Sequence, residues 1–424
     1  MPAALRPRYI RLPKLGSTEF PRRTVPSRIS IHTGRYPHTH RTLLNTYQIP
    51  VDEPTLARVL GAAGYRTVVT GERPFAPRTQ MAGFARRLDA EPGKDHGSLL
   101  ARHGWAGATV PPDHAAKIAE FKRVQDTRYQ ASAVPWPEEL DESKHFSDLA
   151  IGFLNEKSSQ PHFLHITYRR PHYPFDPPAP YDRMYAEARF PESKAKPGEM
   201  KNKPPFQQRA TKSLAGFDPS AISRAEMNRI KSFYYGMITV TDKHLGRVLE
   251  KVNFDETLVV FTSDHGEMLG DHGLLWKGRY MYDQVVHTPV IFAGLGIPTD
   301  RSVDALTESI DIAPTIAEIM GLKLPYAQGQ SLRPLFSGGG VRHKTAVHSE
   351  FPELKMVRTE NYKLVHYSNQ RYGELYDLSR DPDEFDNLYA DAAHAETRAD
   401  MYRRLGDWLL SSQDPMHAPV EDPK

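Results

Sequence analysis

Residues 257–278 read TLVVFTSDHGEMLGDHGLLWKG. The stretch 257–263 is apolar without alternation, which predicts a parallel strand buried on both faces. Asp264 and His265 follow it directly, at the C-terminal edge where open α/β sheets bind ligands. A carboxylate beside an imidazole suits one divalent ion: Ca2+, Mn2+ or Zn2+. Gly266 lets the backbone turn away from the strand. Lys277, a short loop further on, is placed to neutralise an anionic oxygen. Spacing alone supports a polar loop with helix-capping aspartates equally well.

Outward from this stretch, helical and strand patterns alternate. Residues 220–250 carry apolar positions at spacings of three and four and predict a long helix before the strand. PVIFAGLG at 289–296 predicts a further strand, and 309–320 a helix after it. Upstream, 52–64 predicts a helix capped by Asp52, with TVVTG at 67–71 as the following strand. An amphipathic helix at 143–156 precedes a strand at 162–168. The Pro-rich stretch 169–185 must be a loop. Residues 73–140 predict long loops and one short helix, and 190–216 an exposed insertion. Gly, Pro and Ser around 325–345 mark a boundary. Beyond it, alternating patterns predict antiparallel strands and a closing helix at 394–411. This gives an irregular segment over 1–23, a main α/β domain over 24–330 and a small antiparallel subdomain over 331–424.

Two further constellations carry chemistry. TVPSRISIHTGRYPHTH at 24–40 sets Arg28 and Arg35 around Ser27, Ser30 and Thr33. Hydroxyls beside guanidinium groups at a helix start can hold an anion, although a capped helix with surface arginines explains the same letters. Pro171-His172-Tyr173-Pro174 places a histidine on a stiffened loop after a strand, suited to acid catalysis or anion contact, although most such histidines are simply exposed.

The 424 residues include no cysteine, so thiolate chemistry and disulfides are excluded. The net charge of +3 is spread along the chain rather than gathered in a patch, which argues against a nucleic-acid partner. No apolar run is long enough to span a membrane and no signal peptide is legible. A cytoplasmic location is expected.

In order, these segments resemble the sulfatase family of the alkaline phosphatase superfamily. Thr24 to Gly34 resembles a nucleophile followed by x-P-S-R and ending in T-G. GYRTVVTGE (64–72) resembles a G-Y-x-T-x-x-x-G-K segment, and RRPHYPFDPPAPYDRMY the family's P-H-x-P loop. TSDHGEMLGDHGLLWKG matches most closely, and ELYDLSRDPDEFDNL (374–388) resembles the C-terminal subdomain. The resemblance implies an α/β fold, a mixed and largely parallel sheet sandwiched by helices, with a small C-terminal antiparallel α+β subdomain. It implies Asp264 and His265 as ligands of one divalent metal ion. His172 and Lys277 would contact the sulfate or phosphate group, and Arg28 would brace the nucleophile at Thr24. The substrate would be a small sulfate or phosphate ester; the oligomeric state is left open.

The chain departs from the family pattern in three places. Thr24 stands where Cys or Ser is converted to formylglycine, and threonine cannot yield that aldehyde. No strand ending in paired aspartates precedes it, and the sequence through 23 does not read as a strand. The expected lysine and histidine of the G-K-x-H segment are replaced in Gly71-Glu72-Arg73-Pro74. A missing strand would open a sheet edge. It suggests a shortened or frame-shifted gene product whose upstream DNA encodes an apolar strand ending in Asp-Asp. Three functional expectations follow: a metal-dependent sulfate ester hydrolase with reduced or lost activity, a phosphodiester or phosphonate monoester hydrolase using Thr24 directly, and an inactive anion-binding or interaction protein.

Overall fold

The computed structural model describes residues 10–16, 24–72, 75, 80–127, 129, 131–212, 214, 218–337 and 343–413. Strands β1 (Ile10–Gly16), β2 (Arg66–Gly71), β3 (Arg86–Arg87), β4 (His162–Thr167), β5 (Val259–Thr262), β6 (His287–Ala293), β7 (Arg301–Ser302) and β8 (Leu306–Glu308) build two sheets. One is parallel, in the order β3-β2-β4. The other is mixed, in the order β5-β6-β1-β7, with β8 also paired to β1. Four antiparallel strands follow: β9 (Val347–Phe351), β10 (Leu354–Arg358), β11 (Tyr362–Tyr367) and β12 (Gly373–Asp377). They form the C-terminal subdomain foreseen from alternation.

Helices cover both faces of the two main sheets. They include α1 (Thr24–Thr33), α2 (Leu56–Ala62), α3 (Glu142–Leu154), α4 (Arg224–Leu249), α5 (Ile312–Ile319) and, on the C-terminal subdomain, α6 (Ala395–Ser411). Successive strand residues point to opposite faces. Phe163 accordingly packs with Leu56, Leu60 and Ala317 of α2 and α5, whereas Leu164 packs with Phe153 of α3. In β5 the same alternation sends Val260 to the cluster around Ile312 and Phe261 to Leu249 of α4. The two sheets thus share one sandwich, although among the described residues no backbone ladder joins β4 to β5.

Several expectations need correction. The stretch 257–263 is not a central parallel strand among the described residues: there β5 pairs with β6 alone, antiparallel, and its residues are half-buried. The segment 1–23 is not wholly irregular, since Ile10–Gly16 forms β1, antiparallel to β6 and parallel to β7 and β8. Its register shifts between Leu12 and Leu15, around Pro13, which has no N–H to give a ladder. An unmet sheet edge supplies hydrogen bonds to a segment whose own propensity is weak. Residues 73–140 hold helices at His96–Arg102 and Pro112–Thr127 rather than mainly loops. The insertion 190–216 is not simply exposed. Gln207 is fully buried and donates to Glu374 of β12 at 3.1 Å, while Lys203 Nζ donates to the Tyr376 hydroxyl at 2.9 Å. The cap of α2 is Thr55, which accepts from the Arg58 amide, rather than Asp52. Among the described residues no helix is long and apolar enough to cross a membrane.

Candidate active site

Four elements converge at one end of a cavity of about 1960 Å³: the N-terminal half of α1, the end of β2, the loop after β4 and the loop after β5. Arg28, Glu72, His172, Asp264, His265 and Lys277 line that end. Arg28 projects from the first turns of α1, where its Nε donates to Asp264 Oδ2 at 3.1 Å and its Nη1 to the Glu72 carbonyl at 2.9 Å. One guanidinium thereby ties α1 to the ends of both β2 and β5. Ser27 Oγ adds a 3.3 Å bond to the Asp264 carbonyl.

Asp264 and His265 leave the end of β5 together, with Nε2 and Oδ1 3.7 Å apart. Lys277 Nζ donates to His265 Nε2, and His265 Nδ1 donates to the Gly266 carbonyl at 2.9 Å. That pattern requires a neutral imidazole. Burial, reinforced by Lys277, lowers the His265 pKa to about 4. Burial alone would raise the Asp264 carboxyl, but His265, Arg28 and Lys277 outweigh it and hold the group well below the usual carboxylate range. Gly266 is needed for close approach more than for a turn: a Cβ there would stand 2.0 Å from the Gln284 carbonyl oxygen.

His172 faces His265 with ring centroids 5.7 Å apart. Its Nδ1 donates to the Tyr173 carbonyl, and Tyr173 stacks on Trp276 at 4.5 Å. This holds the Pro-rich loop against the loop that carries Lys277. Burial, then Lys277 and His265, lowers the His172 pKa to about 3. With both imidazoles neutral, Arg28 and Lys277 are the cations that face Asp264 and Glu72 in this lining, and both can turn a donor toward an anionic group.

The predicted residues Arg28, His172, Asp264, His265 and Lys277 are therefore brought together. Thr24 opens α1, at the same end; its side chain lies outside the described residues, as does Arg73. Arg35 is not part of an anion site. It is fully buried, donates to Glu53 at 2.9 Å and braces the Thr39 carbonyl. Ser30 and Thr33 also serve the interior, on His40 and the Ile29 carbonyl. Sequence reasoning passed over Asn45, whose Oδ1 accepts from the Val25 amide at 3.0 Å and caps α1. It also passed over Glu267, whose carboxyl burial raises to about 7. No local pattern marks Asn45, whereas Glu267 lay inside the motif without an assigned role.

The donors suit a hard or borderline cation but do not complete a shell. Asp264 and His265 are neighbours, yet His265 Nε2 already receives Lys277. Among the described residues no group of three or more His, Asp or Glu side chains gathers to hold a metal ion.

The family model described as Sulfatase matches residues 21–322, and the model for the C-terminal region of N-sulphoglucosamine sulphohydrolase matches residues 270–409. The chain is 30% identical, over 92% of its length, to the multifunctional alkaline phosphatase superfamily protein PehA of Trinickia caryophylli, and spans 85% of that protein. It is 26% identical to the choline-sulfatase of Rhizobium meliloti (strain 1021), over 86% of this chain and 72% of that one. Among solved structures, the phosphonate monoester hydrolase SpPMH from Silicibacter pomeroyi superposes with a TM-score of 0.80 at 27% identity, covering 96% of this chain and 89% of that one.

Proposed function

Because this chain belongs to the sulfatase family, we propose that it hydrolyses a small sulfate ester at the end of the cavity where Arg28, His172, Asp264, His265 and Lys277 meet. The observation that carries this is the convergence of two buried or half-buried cations and a neutral histidine on one open volume. Lys277 and Arg28 bind and orient the anionic ester and offset charge that grows on its oxygens. His172, neutral in the free protein, gains proton affinity when the anion sits beside it and is placed to protonate the departing oxygen. Asp264 keeps Arg28 in place.

Members of the family generally use a divalent metal ion, which acts as a Lewis acid when bound. In this chain Asp264 and His265 would be its described ligands, with Ca2+, Mn2+ and Zn2+ all compatible with that donor pair. Two donors hold a hard cation weakly, so we propose low turnover.

A second reading has a specific observation behind it. Thr24 occupies the nucleophile position and cannot become formylglycine. The likeness to a phosphonate monoester hydrolase at TM-score 0.80 supports a phosphonate or related diester as substrate, on which the Thr24 hydroxyl would attack directly. Initial rates on nitrophenyl sulfate and nitrophenyl phenylphosphonate, with Thr24→Ala as control, separate the two. Faster sulfate release supports the first reading, and faster, Thr24-dependent phosphonate cleavage the second. Tight sulfate binding without turnover of either ester would instead mark an anion-binding protein.

A further inference from the structure

The loop that carries Asp264 and His265 is held from behind by two backbone bonds. The Gly266 amide donates to the Val285 carbonyl at 2.8 Å, and the Glu267 amide to the Gln284 carbonyl at 3.0 Å. Both carbonyls belong to a single helical turn, Asp283–Val286. So short a helix has little stability of its own, and its place depends on what holds it. The hold falls on Asp283. Arg358 Nη1 of β10 donates to both of its carboxylate oxygens at 2.5 Å, and Lys363 Nζ of β11 donates to Oδ1 at 2.7 Å. Lys363 also donates to the Met281 carbonyl at 2.9 Å and pairs with Glu384 at 2.6 Å. Glu384 in turn accepts from the Asp283 amide at 2.8 Å.

Lys363 and Glu384 are buried, and Arg358 nearly so. Burial alone would raise the Asp283 carboxyl, but Lys363 and Arg358 outweigh it and hold the group well below the usual carboxylate range. Cohesion between the C-terminal subdomain and the main domain does not require these charges. Met281 and Val286 already pack with Met356 and Val365, and apolar side chains of similar size are often as stabilising as a buried ion pair. What the charges add is direction: hydrogen bonds from two strands fix both oxygens of Asp283, and with them the turn that follows. Among the described residues the cavity lining ends at Met320, so the subdomain acts on the site from outside its wall.

We propose that Arg358 and Lys363 are positioning residues for ester hydrolysis. By holding Asp283 they fix the Gln284 and Val285 carbonyls, and through Gly266 and Glu267 they fix the aim of Asp264 and His265. Misplacing a reacting group by about 1 Å can cost about 100-fold in rate, even when the change lies far from the chemistry. Their role rests on the hydrolytic reading of the site, with either ester as substrate.

Arg358→Lys keeps a positive charge beside Asp283 but replaces the guanidinium fork by a shorter arm with one ammonium. On the full chain, cleavage of nitrophenyl sulfate or nitrophenyl phenylphosphonate should lose about tenfold or more in kcat, with KM within about twofold. Amide exchange at Gly266 and Glu267 should quicken at least about tenfold more than exchange in α4 and β12. A role in stability alone would quicken all of these amides together and leave kcat of the folded protein unchanged. Asp283→Glu moves the carboxylate by one methylene; it should give the same two signatures, and it decides if Arg358→Lys does not fold. Unchanged kcat, a loss confined to KM, or exchange that quickens evenly would each overturn the proposal. If the unaltered chain cleaves neither ester, the hydrolytic reading fails by itself, and the exchange ratio still decides whether the subdomain positions the loop.

Discussion

Arg28 Nε and Asp264 Oδ2, 236 residues apart in sequence, meet at 3.1 Å and couple the start of α1 to the end of β5. The pair is mostly shielded, with side-chain exposures of 11% and 20%. Removing one partner leaves the other charge without its match at the cavity wall. Discounted for its contact with solvent, Arg28→Ala should cost about 1–3 kcal/mol. Pairing it with Asp264→Asn should recover part of the loss, with a coupling of about 1–2 kcal/mol in urea denaturation. Additive single effects would show that the two residues act separately.

Lys277 is 2% exposed, and its ammonium group points at His265 inside the cavity. Lys277→Met keeps the length of the side chain and removes the charge. Turnover of an aryl ester should fall about 10²–10³-fold, mainly in kcat. Lys277→Arg should recover only part of it, because a planar guanidinium cannot reproduce a point charge. Loss confined to KM would limit Lys277 to substrate binding.

Burial lowers the pKa of His40 to about 3 and of His165 to about 4, and the site histidines His172 and His265 shift in the same direction. Each is neutral when folded and binds a proton more readily when unfolded, near pH 6.5. Their contribution to stability is therefore complete above about pH 6.5 and declines as the pH falls toward 4. Each fully displaced histidine adds a slope of about 1.4 kcal/mol per pH unit in that window. Thermal melts from pH 7.5 to 4.5 should show a steep loss of Tm beginning below 6.5. His165→Phe should flatten the slope, and a Tm that holds steady to pH 4.5 would contradict the burial of these rings.

Gly266→Ala places a methyl group 2.0 Å from the Gln284 carbonyl oxygen, against backbone that cannot swing away. Destabilisation of about 1–3 kcal/mol or more is expected, together with loss of activity as Asp264 and His265 shift. A neutral effect in both assays would show that the β5 loop is loose.

Much of this was legible from periodicity. The four antiparallel strands after residue 345 and the long helix before β5 follow from apolar spacing, which tertiary packing reinforces. Asp264, His265 and Lys277 were singled out by the resemblance, since the spacing of 264–277 alone fits a capped polar loop equally well. What stayed hidden was set by distant partners. Ile10–Gly16 becomes a strand because β6 offers an edge, not because of its own residues. The role of Arg35 depends on Glu53, and that of Asn45 on the start of α1.

Sulfate release from nitrophenyl sulfate, followed for the unaltered chain beside Lys277→Met and Arg28→Ala, is the most direct test of a hydrolytic site at the end of β5. Slow release that both substitutions reduce by about tenfold or more is the expected result. Release that neither substitution changes, or none at all where sulfate itself binds tightly, would contradict it.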